Sequence, residues 1–325
     1  MTVCISAICQ TNVIIGAADR MLTAGDIEFE PVETPALITG AGAKIHPITN
    51  SIAIMMAGDA GLHWEIWLSA RPAVEARIQK DPSTWVPVKE VADIYAHAYT
   101  EIRRQRAANV ILAPLALNEM SFISKQKEMS KEFIENISKE LLNFDMPPIE
   151  AIITGIDTAP HIYCVRNTYG GGACRIECFD SVGFAAVGIG ARHAQSQFML
   201  AGHNPGSSLS DTLLLTYSAK KRSEVAPGVG KATDMFAMGP QPGTFAFLGI
   251  PGNPVDLRAI DTIDNEIQQG ERDLREKAKK KVSDYVDEIT RPRTPQTQQS
   301  PSPDGKTTPS DGDGLSNDDK KGKAE

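Results

Sequence analysis

The fold is decided by the stretch Thr2–Asp19, which reads TVCISAICQTNVIIGAAD. One apolar-rich run covers Val3–Ile8 and a second covers Val13–Ala18, with Cys9–Asn12 between them as a turn. Two short apolar runs joined by a turn of this length are typical of a β-hairpin. We therefore expect the chain to begin with two antiparallel strands, the second ending at Asp19.

Beyond the hairpin, the pattern groups strands and helices instead of alternating them. A loop over Gly25–Gly42 is followed by two more short strands, Lys44–Pro47 and Ser51–Ala57. The other predicted strands are Ile149–Ile156, Ile162–Arg166, Cys174–Phe179, Phe184–Val187, Ala232–Met238 and Phe245–Leu248, and the predicted helices are Gly61–Ala70, Val88–Arg106, Glu119–Phe144, Ala191–Ala201, Leu209–Arg222 and Asp261–Ile289. Such grouping predicts an α+β fold, a sandwich of two antiparallel sheets with helices packed outside.

Composition divides the chain into one large domain and a C-terminal extension. We predict the domain over residues 1–250, with a helical insertion at about 116–146, and a charged C-terminal helix over 251–290. Residues 291–325 contain six basic residues, six acidic residues, five prolines and one large aliphatic residue, Leu315. Such a segment cannot bury enough apolar surface to offset the entropy of ordering, so we expect a disordered tail.

Charge and cysteine content narrow the class of protein. The net charge of −8 argues against nucleic acid or an anionic membrane as a general partner. No apolar run approaches the roughly 18 residues that span a bilayer, and the start of the chain lacks the pattern of a secretory signal. The five cysteines are an odd number at spacings that match no zinc pattern, which favours buried thiols in a reducing compartment. These features predict a cytoplasmic protein without a metal site.

A set of short motifs runs along the predicted domain. They are Thr2 at the start of the first strand, Ala17-Ala18-Asp19 at the end of the second, then Thr23-Ala24-Gly25, Lys44, Met56-Ala57-Gly58 and, further on, Gly188-Ile189-Gly190-Ala191. Lys44 and Gly58 are 14 residues apart. With these motifs the chain from Thr2 to about Met238, without the Glu119–Phe144 region, resembles the proteasome β-subunit family of N-terminal-nucleophile (Ntn) hydrolases. The resemblance implies the four-layer αββα sandwich of that family.

The resemblance also implies catalytic roles for Thr2, Asp19, Lys44 and Gly58. A threonine hydroxyl is a weak nucleophile, but an N-terminal threonine carries its own base, because an α-amine has a pKa of about 7.7–8.0. Thr2 is small enough for methionine aminopeptidase to remove Met1, which would expose that amine. Lys44 would stabilise the developing alkoxide and Asp19 would hold Lys44, while the Gly58 N–H would face the oxyanion.

Three positions depart from the family pattern. Ile189 stands where relatives place a serine between two glycines, and Pro227 stands where they place the serine of an Asp-x-x-Ser-Gly stretch. Glu224 can replace the acid of that stretch with one additional methylene, and is kept as a candidate catalytic residue. The neighbouring Lys220-Lys221-Arg222 is interpreted as the basic end of a helix.

By the same resemblance, a substrate pocket lies beside the catalytic residues. Met56 would form the floor of the first specificity pocket, with Leu22 and Ala60 beside it. The backbone around Thr23 would bind an extended peptide by strand addition. The apolar lining predicts cleavage after hydrophobic residues, and the alternative is that Met56 is an ordinary core residue.

The sequence thus predicts a threonine-type endopeptidase that cleaves peptides or unfolded proteins in a homo-oligomeric ring, with an ATPase or regulator as a further candidate partner. A catalytically inactive structural subunit and an Ntn amidase for a small molecule stay open as alternatives. No cofactor is expected, because Gly188-Ile189-Gly190 lacks the third glycine of a dinucleotide loop and Gly228–Ala232 lacks the Ser or Thr of a phosphate loop. The six histidines show no metal-ligand spacing, so each is interpreted as a core or surface residue.

Overall fold

The computed structural model describes residues 2–24, 27–31, 44–167, 174–250 and 252–291. Most of the predicted 25–42 loop and of the predicted tail lies outside these ranges. The chain divides into two compact units, Met1–Gly270 and Glu271–Glu325, and all the strands described below belong to the first. The predicted domain boundary at residue 250 stays a prediction. Among the described helices, none is both long enough and apolar enough to cross a membrane.

The strands form two five-stranded antiparallel sheets and a small separate hairpin. They are β1 (Cys4–Cys9), β2 (Val13–Asp19), β3 (Leu22–Ala24), β4 (Ile27–Phe29), β5 (Ile45–Thr49), β6 (Ile52–Gly58), β7 (Ile149–Ile156), β8 (Pro160–Arg166), β9 (Arg175–Cys178), β10 (Phe184–Val187), β11 (Thr233–Met238) and β12 (Ala246–Leu248). The first sheet has the order β10-β1-β2-β11-β12 and the second has the order β5-β6-β7-β8-β9, while β3 pairs with β4. The predicted N-terminal hairpin is therefore the centre of the first sheet.

The helices are longer or more broken than predicted at two places. They are α1 (Ala60–Lys80), α2 (Val88–Ala107), α3 (Glu119–Ser124), α4 (Lys131–Asn143), α5 (Ala191–Leu200), α6 (Leu209–Ser223) and α7 (Leu257–Thr290). The prediction that the first helix ends at Ala70 is wrong, because α1 continues through Pro72. Proline has no N–H to donate to the carbonyl four residues earlier. Pro72 and its neighbours on the helix are exposed, so water can bind that carbonyl. The predicted Glu119–Phe144 helix is interrupted, because the Ser130 hydroxyl accepts from the Phe133 N–H and starts a new helix.

The two large sheets pack face to face. Their facing side chains form one buried cluster, to which Ile14 and Phe236 contribute from the first sheet and Met55 and Ile152 from the second. A buried hydrogen bond of 3.0 Å from the Ser6 hydroxyl in β1 to the Thr154 hydroxyl in β7 also joins the sheets. The sandwich core therefore lies between the sheets, beneath the N-terminal hairpin.

Helices cover the outer faces of both sheets. In β6, Ala53 and Met55 face the other sheet while Ile52 and Ile54 pack with α1 and α2, which is the alternation expected of a strand buried on both sides. The outer face of β1 and β10 packs with α5 and α6, where Phe198 is fully buried. The predicted α+β fold with two antiparallel sheets is confirmed, and its assignment to the Ntn-hydrolase fold stays a prediction.

Gly16 in β2 has no room for a side chain, which provides a test of the register of the first sheet. β2 and β11 pair so that Gly16 lies opposite Phe236, and a Cβ at Gly16 would lie 2.1 Å from the buried Phe236 ring. We expect Gly16→Ala to lower the free energy of unfolding by about 2 kcal/mol, because the ring must move within a packed core. Urea denaturation measures the change.

Gly270→Ala is the matched control, because no atom lies within 4 Å of the added methyl group in that helix. Removing a helical glycine should leave stability unchanged or raise it by up to about 1 kcal/mol. Equal effects of the two substitutions would contradict the pairing of β2 with β11.

Candidate active site

Three of the predicted catalytic residues meet at one point. The Thr2 hydroxyl donates to the Asp19 carboxylate and accepts from the Lys44 ammonium. The Lys44 Nζ lies 2.9 Å from Asp19 Oδ1 and 2.8 Å from Oδ2. All three side chains are buried, with 2% of Thr2, 1% of Asp19 and 8% of Lys44 exposed. The structure thus brings a hydroxyl, an ammonium and a carboxylate together from segments far apart in the sequence.

The Asp19 carboxylate is held by the backbone as well as by Lys44. Its Oδ1 accepts from the Val3 N–H at 2.8 Å, and its Oδ2 accepts from the N–H groups of Met21 and Gly230 at 3.1 and 2.9 Å. A buried carboxylate must be paired and hydrogen-bonded to be tolerated. Asp19 therefore fixes the relative positions of the N-terminal segment, the end of β2 and the segment before β11.

The predicted glycine turn holds the backbone of Thr2. The Gly190 N–H donates to the Thr2 carbonyl at 3.2 Å. Gly188 has a φ of +91°, and a Cβ there would lie 2.3 Å from the Thr2 carbonyl oxygen. Only glycine combines this backbone conformation with so close an approach. Behind the turn, the buried Ser223 hydroxyl oxygen lies 3.1 Å from the Gly190 carbonyl oxygen and 2.7 Å from that of Ala219, a contact between the turn and α6 that the sequence analysis did not anticipate.

Gly58 ends β6 beside the same cavity. Its φ is +119°, and a Cβ there would lie 2.4 Å from the Pro148 carbonyl oxygen, so glycine is required by the packing of β6 on β7. The Met56 N–H donates to the Lys44 carbonyl at 3.0 Å. Because backbone groups two residues apart in a strand point to the same side, the Gly58 N–H points towards the side of Lys44.

A cavity of about 830 Å³ opens at Thr2. It is lined by Thr2, Ala57, Gly58, Asp59, Asp145, Met146, Pro147, Pro148, Ile149, Glu150, Arg166, Asn167, Gly188 and Ile189. Two of its charged groups form a pair, since Arg166 Nε lies 3.0 Å from Glu150 Oε1. Glu150 also accepts from the Gly188 N–H at 2.6 Å. The candidate nucleophile thus faces a space large enough for part of a substrate.

Two of the predicted apolar specificity residues, Met56 and Ala60, are next in sequence to residues that line this cavity. Within the described chain, Leu22, Met56 and Ala60 are not among the residues that line it. Met56 is partly buried and packs against the core beneath α1 and α2, as the core interpretation expects, whereas Leu22 lies in β3 and Ala60 begins α1. The side chain of Thr23 lies outside the described residues. The predicted apolar pocket stays a prediction.

Glu224 reaches the site through a lysine. Its carboxylate lies 2.7 Å from the Lys220 Nζ and 3.2 Å from the Lys221 Nζ. The Lys220 Nζ also donates to the carbonyls of Gly230 and Lys231 at 2.9 and 2.8 Å. The N–H of the same Gly230 donates to Asp19. Glu224 and Lys220 therefore fix the segment that holds the Asp19 carboxylate.

Lys220, Lys221 and Arg222 form the basic last turn of α6, as predicted, but the side chain of Lys220 is fully buried. Burial lowers its pKa, and Glu224 opposes that effect. The sequence did contain an indication of this burial. Glu224 follows Lys220 by four residues, which places both on one face of the helix. The residues that share the buried face of α6 with Lys220 are mostly small. That face includes Thr212, Thr216, Ala219 and Ser223.

His63 is a second polar residue near the site for which the sequence analysis gave no functional role. It is 1% exposed, and its Nε2 lies 2.8 Å from the Ala57 carbonyl oxygen. Its Nδ1 lies 2.5 Å from the Tyr95 hydroxyl oxygen. Burial lowers the pKa of His63 to about 4, against the smaller opposing effects of the Ala57 carbonyl and of Asp59. The ring is therefore neutral near pH 7.

The cysteines are unpaired thiols. Cys4, Cys9 and Cys164 are buried as predicted, but Cys178 is exposed and Cys174 is half-buried, because Cys174 precedes and Cys178 ends the short edge strand β9. Burial raises the pKa of Cys4, next to the site, to about 12, which makes its thiol a poor nucleophile. Among the described residues, no group of three or more His, Cys, Asp or Glu side chains could hold a metal ion.

Comparison with known proteins adds no assignment. No protein-family model matches the chain, and no curated protein is significantly similar to it.

Lys220→Met tests the link between Glu224 and Asp19. We expect the free energy of unfolding to fall by about 3 kcal/mol, because the carbonyls of Gly230 and Lys231 lose a buried donor and Glu224 loses its partner. Lys221→Met is the matched control on the same helix, and the partly exposed Lys221 should contribute less than about 1 kcal/mol. Urea unfolding compares the two, and similar small losses would contradict the buried role of Lys220.

The buried neutral His63 predicts a pH dependence of stability. Unfolded histidine binds a proton near pH 6.5, whereas folded His63 does so only near pH 4, so the stability it contributes is complete above pH 6.5 and is lost as the pH falls towards 4. The free energy of unfolding should decrease by roughly 3 kcal/mol over this window because of His63 alone. His63→Gln does not titrate and should show a shallower slope. Identical slopes would show that His63 is not held neutral.

Proposed function

We propose that this chain is a threonine-type endopeptidase of the Ntn class, with the Thr2 hydroxyl as nucleophile once Met1 has been removed. The observation that carries the proposal is the buried contact of the Thr2 hydroxyl with the Lys44 ammonium and the Asp19 carboxylate, at the mouth of a cavity. Helices outside two facing antiparallel sheets support the proposed αββα architecture. A free α-amine on Thr2 completes the set of groups that acyl transfer requires.

In the first step, Thr2 Oγ1 attacks the carbonyl carbon of the scissile peptide bond. The hydroxyl proton passes to the α-amine of Thr2, directly or through a water molecule, while the carbonyl π electrons move onto oxygen. The Lys44 charge stabilises the developing alkoxide, and the Gly58 N–H donates to the oxyanion. The tetrahedral intermediate then collapses, and the leaving amine takes the proton from the α-ammonium group.

In the second step, water hydrolyses the ester formed on Thr2. The α-amine removes a proton from the water, whose oxygen attacks the ester carbonyl. Collapse returns the proton to Thr2 Oγ1 and releases the carboxylic acid product. Asp19 stays ionised throughout in this scheme, and its role is to hold Lys44 and the hydroxyl in place.

The second candidate is a catalytically inactive structural subunit. It is favoured by Ile189 and Pro227, which supply no hydroxyl where the family pattern has serines, and by Glu224, whose carboxylate is engaged by Lys220. A small-molecule Ntn amidase would use the same acyl chemistry on a different substrate. The ring, a regulator partner and a cytoplasmic location stay predictions from the resemblance.

Covalent labelling separates an active enzyme from an inactive subunit. Intact-mass spectrometry first establishes that Met1 is absent from the preparation. A peptide epoxyketone reacts with both the hydroxyl and the α-amine of an N-terminal threonine, so we expect its mass to be added at Thr2. Thr2→Ala should abolish labelling, because the nucleophile is gone. Lys44→Ala should slow labelling by about 100-fold or more, by loss of the charge beside the alkoxide.

Thr2→Ser is the matched control, because it keeps the hydroxyl and the amine and should still be labelled. Cleavage of fluorogenic peptides and of small acyl amides then distinguishes the endopeptidase from the amidase. A protein with a free Thr2 that neither reacts with the epoxyketone nor cleaves either type of substrate would be the inactive subunit.

A further inference from the structure

The buried His63 is hydrogen-bonded to the peptide group whose N–H is the candidate oxyanion donor. Asp59 caps α1 by accepting from the Leu62 N–H at 2.7 Å, and the next residue, His63, reaches back to the end of β6. There its Nε2 lies 2.8 Å from the Ala57 carbonyl oxygen. This contact joins the first turn of α1 to the strand that ends at Gly58.

The partners of His63 define its tautomer. A carbonyl oxygen can only accept, so Nε2 must carry the proton that it donates to Ala57. In the neutral ring Nδ1 is then an acceptor, and the Tyr95 hydroxyl at 2.5 Å donates to it. Both ring nitrogens are therefore satisfied, and Tyr95, itself 1% exposed, fixes the orientation of the ring from α2.

The Ala57 carbonyl and the Gly58 N–H belong to one planar peptide group. In a trans peptide they point in opposite directions. His63 holds the carbonyl end, and the N–H end points to the side of Lys44, as the contact of the Met56 N–H with the Lys44 carbonyl indicates. A hydrogen bond to a carbonyl also polarises its peptide group and strengthens the N–H as a donor.

We propose that His63 is a positioning residue that sets the direction and donor strength of the Gly58 N–H towards the oxyanion. This role rests on the proposed peptidase function. His63 acts through the Ala57–Gly58 peptide group and has no contact with the substrate. Its effect is therefore expected where negative charge develops, in kcat, and not in the binding of the ground state.

His63→Gln and His63→Asn form a matched pair for testing this role. Both substitutions introduce a neutral amide of similar polarity, but only the longer glutamine can place an N–H donor near the position of Nε2. We expect kcat for a fluorogenic peptide to fall about tenfold in the asparagine variant with KM within about twofold of wild type, since loss of a whole oxyanion donor costs 10²–10³ in kcat. The glutamine variant should stay within about threefold of wild type.

A second measurement uses the unsubstituted protein and does not depend on how the variants fold. Nitrogen-15 NMR at pH 6 to 7 reports which ring nitrogen of each histidine carries a proton. His63 is expected to be neutral and protonated on Nε2 alone. A ring protonated on Nδ1, or one that is charged at this pH, would overturn the proposal.

The outcomes separate this inference from the proposed function. If the wild-type protein with a free Thr2 has no activity, the peptidase proposal fails and the role of His63 in it fails too. If the wild type is active but the two amide variants have equal kcat, only the role of His63 is refuted. A rise in KM with unchanged kcat in the asparagine variant would also refute it, since that pattern indicates a role in substrate binding.

Discussion

The buried negative charge of Asp19 is the constraint on which the site depends. An ionised carboxylate with 1% of its surface exposed is tolerated only where several donors replace water. The donors are the N–H groups of Val3, Met21 and Gly230, the Thr2 hydroxyl and the Lys44 ammonium. These five donors come from four segments, so satisfying this one carboxylate positions the N-terminal segment, the end of β2, the start of β5 and the segment before β11 together.

The same constraint explains the close packing around Thr2. The N-terminal segment can reach Asp19 only if its backbone passes against the turn after β10, and Gly188 leaves that space. Likewise, β6 reaches the site only if its end passes against the Pro148 carbonyl, and Gly58 leaves that space. The two glycines are therefore required by the structure whether or not the chain is an enzyme, and glycine at these positions is weak support for catalysis taken alone.

Sequence reasoning predicted the strands and the grouping of Thr2, Asp19 and Lys44 better than it predicted the buried residues that hold this group in place. The hairpin and the antiparallel sheets follow from apolar runs and turns, and Asp19, Lys44 and Gly58 lie at strand ends, where spacing along the chain relates directly to position. Lys220 and His63 lie on helices whose polar residues look solvated in a sequence. Their burial depends on partners far along the chain, such as Gly230 for Lys220 and Tyr95 for His63, and no local pattern specifies such pairs.

The support that was missed also changes how the departures from the family pattern are interpreted. From the sequence alone, Ile189 and Pro227 replace two serines of the family pattern, and Glu224 replaces an aspartate with a side chain one methylene longer. In the structure, Glu224 pairs with Lys220, and the ammonium group of Lys220 holds the two carbonyls before β11. Lys220 thus holds the segment that donates to Asp19, and His63 holds the peptide group that carries the Gly58 N–H. In the proposed mechanism, these groups orient Lys44 towards the alkoxide and the Gly58 N–H towards the oxyanion. The side chains of Ile189 and Pro227 offer no hydroxyl to orient the α-amine. Proton transfer to and from that amine is accordingly the step of the proposed mechanism that these departures from the family pattern affect.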